Sequence, residues 1–100
     1  MIDWENVRGF NRDAGNVSKN WQKHGITSRE AEEVMLNEPL VVGTDVIHSA
    51  NEERFHALGQ TDEGKRLHLT FTLRKNKTLL RIISARPMHR KERAIYDEKT

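Results

Sequence analysis

The chain has no cysteine, and its 100 residues include only six glycines and two prolines. The lack of cysteine excludes disulfides, thiolate metal ligands and a cysteine nucleophile, and it fits a reducing compartment. No run of about 18 apolar residues occurs, so we expect no membrane-spanning helix. The first residues, "MIDWENVRGFNRD", are acidic and mixed and show no signal peptide, so we expect a cytoplasmic protein.

The signatures of several enzyme classes are also missing. The glycines are scattered, so none of them builds a phosphate-binding loop, and there is no Gly-x-Ser-x-Gly motif. No two of the five histidines have the four-residue spacing of helical zinc sites. His56 and His68 could meet across a hairpin, but we expect neither a metal site nor another cofactor.

Charge is distributed unevenly along the chain. The net charge is +2, yet residues 65–93 hold ten Lys or Arg and a single acid, Glu92, which gives this segment +9. The rest of the chain has seven basic and fourteen acidic residues and carries −7. This segregation predicts one positive surface that attracts nucleic acid or an acidic protein.

Helix-end signals predict two helices in the N-terminal part. The segment "GNVSKNWQKHG" has Val17 and Trp21 at helical spacing and ends at Gly25. A second helix is predicted to begin at Thr27, because Thr27 and Glu30 have the spacing of a capping box. It should stop before Pro39, since the residue that precedes a proline disfavours the helical conformation.

An extended pattern follows from Leu40 onward. The clearest strand is "RLHLTFTLR", in which apolar and polar residues alternate. The predicted strands cover 39–43, 54–61, 66–74 and 78–86, and a weakly amphipathic helix is predicted within 88–99. We therefore expect one α+β domain over residues 1–100, with two N-terminal helices, an antiparallel sheet of about four strands and a C-terminal helix. Residues 1–9 are expected to form a loosely held extension.

Two arginines stand out within the last predicted strand. Arg81 and Arg86 interrupt an otherwise apolar segment, where a charge is disfavoured unless it reaches the surface or a partner. In a regular strand, side-chain alternation points them to opposite faces. A shared phosphate site therefore requires a bulge, or a bend of the strand end before Pro87.

Two shorter motifs hold further candidates. Lys23 and His24 lie in the last turn of the first predicted helix, where they either stabilise the helix dipole or serve phosphate contact and proton transfer. Glu53 and Arg54 begin the second predicted strand, and a structural ion pair is the simpler explanation for them. For both motifs, the residues alone leave the structural and the functional role open.

Three phrases, "GNVSKNWQKHGITSREAEEV", "EERFHALGQTDEGKRLHLTFTLR" and "LLRIISARPMHRKERAIYDE", together resemble the BrnT toxin family of bacterial type II toxin–antitoxin systems. The resemblance covers residues 10–98. It implies a RelE-like α+β fold, a ribonuclease that stops translation, and neutralisation by a BrnA antitoxin that also brings operator DNA binding. The family motifs map onto Lys23, His24, Gly25, Glu53, Arg54, Arg81, Arg86, Arg90, Glu92, Arg93 and Tyr96.

From the residues and the resemblance we predict metal-independent RNA cleavage. His24 is expected to transfer protons, and Arg54, Arg81 and Arg86 to stabilise charge on the reacting phosphate. The residues expected to bind RNA are Lys23, His68, Arg90, Lys91 and Arg93, with His68 as the second choice for proton transfer. The alternative is a non-catalytic basic module that binds nucleic acid or an acidic protein, which explains the +9 segment equally well.

Overall fold

The computed structural model of the protein describes residues 2–12, 24–47 and 49–100. A five-stranded sheet dominates this part of the chain, with strand order β1-β5-β4-β3-β2. The sheet is mixed, because β1 runs parallel to β5 while the other neighbours are antiparallel. In chain order the elements are a 3₁₀ helix Trp4–Asn6, β1 Gly9–Phe10, α1 Ser28–Leu36, β2 Val41–Asp45, β3 Arg54–Gln60, β4 Arg66–Arg74, β5 Leu79–Pro87 and α2 Arg90–Lys99.

The expected fold, with two N-terminal helices and about four antiparallel strands, is wrong. The sheet has a fifth strand, β1, and the described ranges contain one α-helix, α1, before β2. Most of the first predicted helix, at residues 15–25, lies outside the described residues. A strand of two residues shows no alternation in the sequence, so only its backbone bonds define β1: Arg8 N donates to Thr78 O and Asn11 N to Leu80 O.

The N-terminal residues lie against the sheet, although the sequence suggested a loose extension. Ile2, Val7 and Phe10 pack against the main hydrophobic core. The Trp4 ring centroid lies 6.2 Å from that of Phe71. Residues 2–10 therefore add apolar contacts to the core.

Helix α1 begins at the predicted capping box. Thr27 Oγ1 accepts a hydrogen bond from Glu30 N, and Glu30 Oε1 accepts one from Thr27 N, both at 3.0 Å. The helix buries Ala31 and Val34 against the sheet. Its close approach to β3 requires a glycine, because a Cβ at Gly59 would lie 2.8 Å from Val34 Cγ1.

The two faces of the sheet differ in chemistry. The face under α1 holds the main core, which includes Phe55, Ala57, Leu67, Leu69, Phe71, Leu80, Ile82 and Ala85. The opposite surface, which we call the polar face, holds the alternate residues of β3, β4 and β5. Its members are Arg54, His56, His68, Thr70, Thr72, Arg81, Ser84 and Arg86.

Helix α2 packs on one end of the polar face. Tyr96 is buried there with Leu58 and Met88, and its hydroxyl donates to Pro39 O at 2.7 Å. No helix in the described ranges is long and apolar enough to cross a membrane.

Candidate functional site

A bulge in β5 places both strand arginines on the polar face. Phe71 is paired with Ile82, whereas its neighbour Thr70 is paired with Ser84, so one residue of β5 is inserted between the pairs. The insertion reverses the alternation that would have separated Arg81 from Arg86. Arg81 is paired with Thr72 and Arg86 with His68, four residues apart on β4. The Cα atoms of the two arginines therefore lie about 13 Å apart along the strands. The irregularity required by the sequence argument is present, but the arginines share a face rather than one contact point.

Arg54, Thr72 and Arg81 form one row across three strands. Thr72 is paired with Arg54 on β3 and with Arg81 on β5. The Thr72 hydroxyl donates to Glu53 O at 2.6 Å, and Arg81 Nη1 donates to Asn11 Oδ1 at 3.3 Å. Arg54 Nε is buried and has no hydrogen-bond partner in the described part of the chain. Arg54 and Arg81 thus flank the small Thr72 side chain. The Cα atoms of the two arginines lie about 10 Å apart.

Arg86 is engaged by a carboxylate of the protein itself. Its Nη1 and Nη2 donate to Glu92 Oε1 and Oε2 at 2.7 and 2.9 Å. His89 N, at the start of α2, also donates to Glu92 Oε1 at 2.8 Å. These bonds, the Arg86 pair foremost, lower the pKa of Glu92 to about 2. Glu92 is therefore ionised at neutral pH and offsets the charge of Arg86.

His68 lies beneath the surface of the polar face. It is 8% exposed, and its Nε2 lies 3.8 Å from Glu92 Oε2. Burial, reinforced by the nearby charge of Arg86, lowers the pKa of His68 to about 4. At neutral pH the ring is uncharged, and its burial leaves little surface for the predicted contact with RNA.

His56 joins a carboxylate to a hydroxyl group. Its Nε2 lies 3.0 Å from Asp45 Oδ2, and its Nδ1 lies 3.2 Å from Thr70 Oγ1. The Asp45 side chain is 7% exposed, whereas that of His56 is 40% exposed. The His56 and His68 ring centroids are 4.8 Å apart. A partly exposed imidazole backed by a buried carboxylate is suited to moving a proton.

This arrangement was not predicted from the sequence. The sequence suggested His56 only as a neighbour of His68 in a metal site that we did not expect, and it did not single out Asp45. Alternation along β3 already places His56 on the same side as Arg54, two residues away, so that signal was present. The Asp45 contact depends on the pairing of β2 with β3, which opposes Gly43 to His56 and Asp45 to Arg54.

The other predicted site residues lie apart from this cluster. His24 is exposed ahead of α1, and in the described ranges no hydrogen bond or ion pair joins it to the polar face. Lys23 lies outside the described residues. Arg90, Lys91 and Arg93 are exposed on α2, which adjoins the end of the polar face at Arg86.

Comparison with known proteins identifies the family. A family model described as "Ribonuclease toxin, BrnT, of type II toxin-antitoxin system" matches residues 13–92. No curated protein matches the chain significantly. The match spans α1, β2 to β5 and the start of α2, and it includes every predicted site residue except Arg93. The chain therefore belongs to the BrnT family of ribonuclease toxins of type II toxin–antitoxin systems.

Proposed function

We propose that this ribonuclease toxin cleaves RNA without a metal ion, at the row formed by Arg54, Thr72 and Arg81 on the polar face. The observation that carries the proposal is the buried Nε of Arg54, which has no hydrogen-bond partner among the described residues. A buried donor without a partner costs free energy, and a phosphate oxygen would satisfy it once the half-buried Arg54 side chain turns towards bound RNA. Arginine suits this role because its planar group donates two parallel hydrogen bonds to a phosphate.

The reaction begins when the ribose 2′-hydroxyl attacks the adjacent phosphorus. The O2′–P bond forms and the P–O5′ bond breaks, which yields a 2′,3′-cyclic phosphate and a 5′-hydroxyl. Negative charge builds up on the phosphate oxygens in the transition state. Donors fixed in advance around that charge are often the largest contribution to catalysis, and Arg54 and Arg81 supply two.

The remaining basic residues have separate roles in this proposal. Arg90, Lys91 and Arg93 project from α2 and would hold the RNA backbone beyond the cleaved bond. Arg86 is tied to Glu92, so its expected contribution to catalysis is smaller than that of Arg54. His24 stays a prediction, because no contact recorded for it supports or opposes a role in the reaction.

A type II toxin acts with an antitoxin partner. We propose that the partner is a BrnA-type protein that neutralises the toxin by covering its basic surface, and that operator DNA binding by the complex resides in the antitoxin. The basic side chains on α2 and the polar face suit an acidic antitoxin segment.

Incubation of the purified, antitoxin-free protein with RNA in excess EDTA tests the proposed reaction. We expect cleavage to persist and the fragments to end in a cyclic phosphate and a 5′-hydroxyl. Activity that disappears with EDTA and returns with a divalent metal would contradict the metal-independent mechanism. Intact RNA under both conditions would favour the alternative of a non-catalytic binding module.

A further inference from the structure

We infer that His56 transfers the proton in this cleavage and that Asp45 is its positioning residue. The inference rests on the proposed function, since it supplies the base that the arginine row lacks. It also departs from the sequence analysis, which chose His24 for this step.

The contacts of the His56 ring assign its tautomer. Nε2 faces the Asp45 carboxylate at 3.0 Å, so it carries the hydrogen and donates it. Nδ1 is then the acceptor, and it receives the Thr70 hydroxyl at 3.2 Å. A buried carboxylate behind an imidazole fixes the ring orientation and stabilises the imidazolium that forms when the ring gains a proton.

His56 lies next to the proposed phosphate position. It is two residues from Arg54 on the same side of β3, so the two Cα atoms are about 7 Å apart. Thr70 and Thr72 repeat this spacing on the neighbouring strand, where they are paired with His56 and Arg54. A phosphate bound at Arg54 would bring its neighbouring 2′-hydroxyl towards the exposed edge of the His56 ring.

The proton balance of the step is simple. The 2′-hydroxyl displaces the Thr70 hydroxyl from Nδ1 and gives its proton to that nitrogen as the O2′–P bond forms. The P–O5′ bond breaks, and the leaving oxygen takes a proton from water. The hydroxide that remains takes the proton from the imidazolium, which restores the neutral ring.

The other two candidate histidines are less suited to the step. His68 is 8% exposed, which keeps it from the substrate, and burial lowers its pKa to about 4, which makes it a weak base. His24 has no carboxylate partner within the described residues. Asp45 and His68 contact the His56 ring, and Arg54 lies two residues away on the same side of β3. Arg86 and Glu92 adjoin His68 rather than His56.

Single-turnover cleavage of RNA in EDTA tests the inference. The proteins compared are wild type, His56→Gln, Asp45→Asn, His24→Gln and the control His89→Gln. We expect His56→Gln to lose about 100-fold or more of the rate, the range for one acid–base group, while RNA affinity stays within about twofold. His89 is exposed and bonds Glu92 through its backbone, so His89→Gln should cleave at the wild-type rate. Asp45→Asn should also cleave more slowly while RNA affinity stays within about twofold, because an amide that donates towards Nε2 no longer holds the hydrogen on that nitrogen.

Several outcomes would overturn the inference. Cleavage by folded His56→Gln at the wild-type rate would remove His56 from the step but leave metal-independent cleavage standing. Loss confined to His24→Gln would return the step to His24. If His56→Gln does not fold, Asp45→Asn decides, and cleavage by folded Asp45→Asn at the wild-type rate contradicts the assignment. Absence of wild-type cleavage in EDTA would instead contradict the proposed function itself.

Discussion

The buried ring of His68 makes the free energy of unfolding depend on pH. The pKa of His68 is about 4 in the folded protein and about 6.5 in the unfolded chain, so the unfolded state binds more protons between these values. Stability should therefore fall as the pH is lowered from 6.5 to 4. The expected loss over this range is on the order of 2 kcal/mol.

Urea denaturation at pH 7 and pH 4.5 measures this effect. His68→Gln should remove most of the difference, whereas His89→Gln, at an exposed position, should retain it. Titration of Glu92 contributes little to the difference between pH 7 and pH 4.5. Its pKa is lowered from 4.5 to about 2, so most of its contribution to the free energy of unfolding is lost only below pH 4.5. An undiminished difference in His68→Gln would contradict the assigned pKa.

At the scale of elements, the packing of α1 on β3 depends on the missing side chain of Gly59. A methyl group there would lie 2.8 Å from Val34 Cγ1 and 3.3 Å from Val34 O. Because the second atom is backbone, the helix must move to admit it, and we expect Gly59→Ala to destabilise the protein by about 1–3 kcal/mol. Urea denaturation measures the change.

Gly43 offers a matched control for that substitution. It lies on the edge strand β2, and a Cβ built there meets nothing within 4 Å. Gly43→Ala should therefore leave stability within about 0.5 kcal/mol of wild type. Equal effects of the two substitutions would contradict the close approach of α1 to β3.

Short sequence patterns predicted the start of α1 and the strand β4, which depend mainly on neighbouring residues in the chain. The capping box of Thr27 and Glu30 and the alternation of β4 are present as expected. The bulge in β5 could not be read from "IISAR", which contains no glycine or proline at the inserted residue. The bulge arises from pairing with β4, and that pairing decides which face Arg86 joins.

At the scale of the whole molecule, ion pairs offset part of the positive charge that the sequence concentrates in residues 65–93. Four of the ten basic residues of the 65–93 segment form ion pairs, three with acids outside the segment and one with its own acid, Glu92. The pairs are Lys65–Glu30, Arg66–Asp97, Arg74–Glu52 and Arg86–Glu92. Composition alone could not identify these partners, because Glu30, Glu52 and Asp97 lie outside the segment. The positive surface is therefore concentrated on the exposed side of α2 and along the arginine row.

The candidate site was also only partly predictable from the sequence. The sequence and the family resemblance singled out Arg54, Arg81 and Arg86, and the sheet places all three on one face. The residues that the sequence did not assign to the site, Asp45 and His56, meet through strand pairing across the loop that joins β2 to β3. A contact of this kind depends on register, which neither composition nor spacing contains.

The rate of metal-free RNA cleavage by Arg54→Ala, compared with that by Arg29→Ala, shows whether the reaction takes place on the polar face. Arg29 is the matched control, because its side chain is 88% exposed on α1, across the sheet from the polar face. We predict that Arg54→Ala loses about 100-fold of the rate, as expected for one donor to a charged transition state, while Arg29→Ala cleaves like wild type. Wild-type cleavage by a folded Arg54→Ala variant would contradict the assignment of the reaction to the polar face.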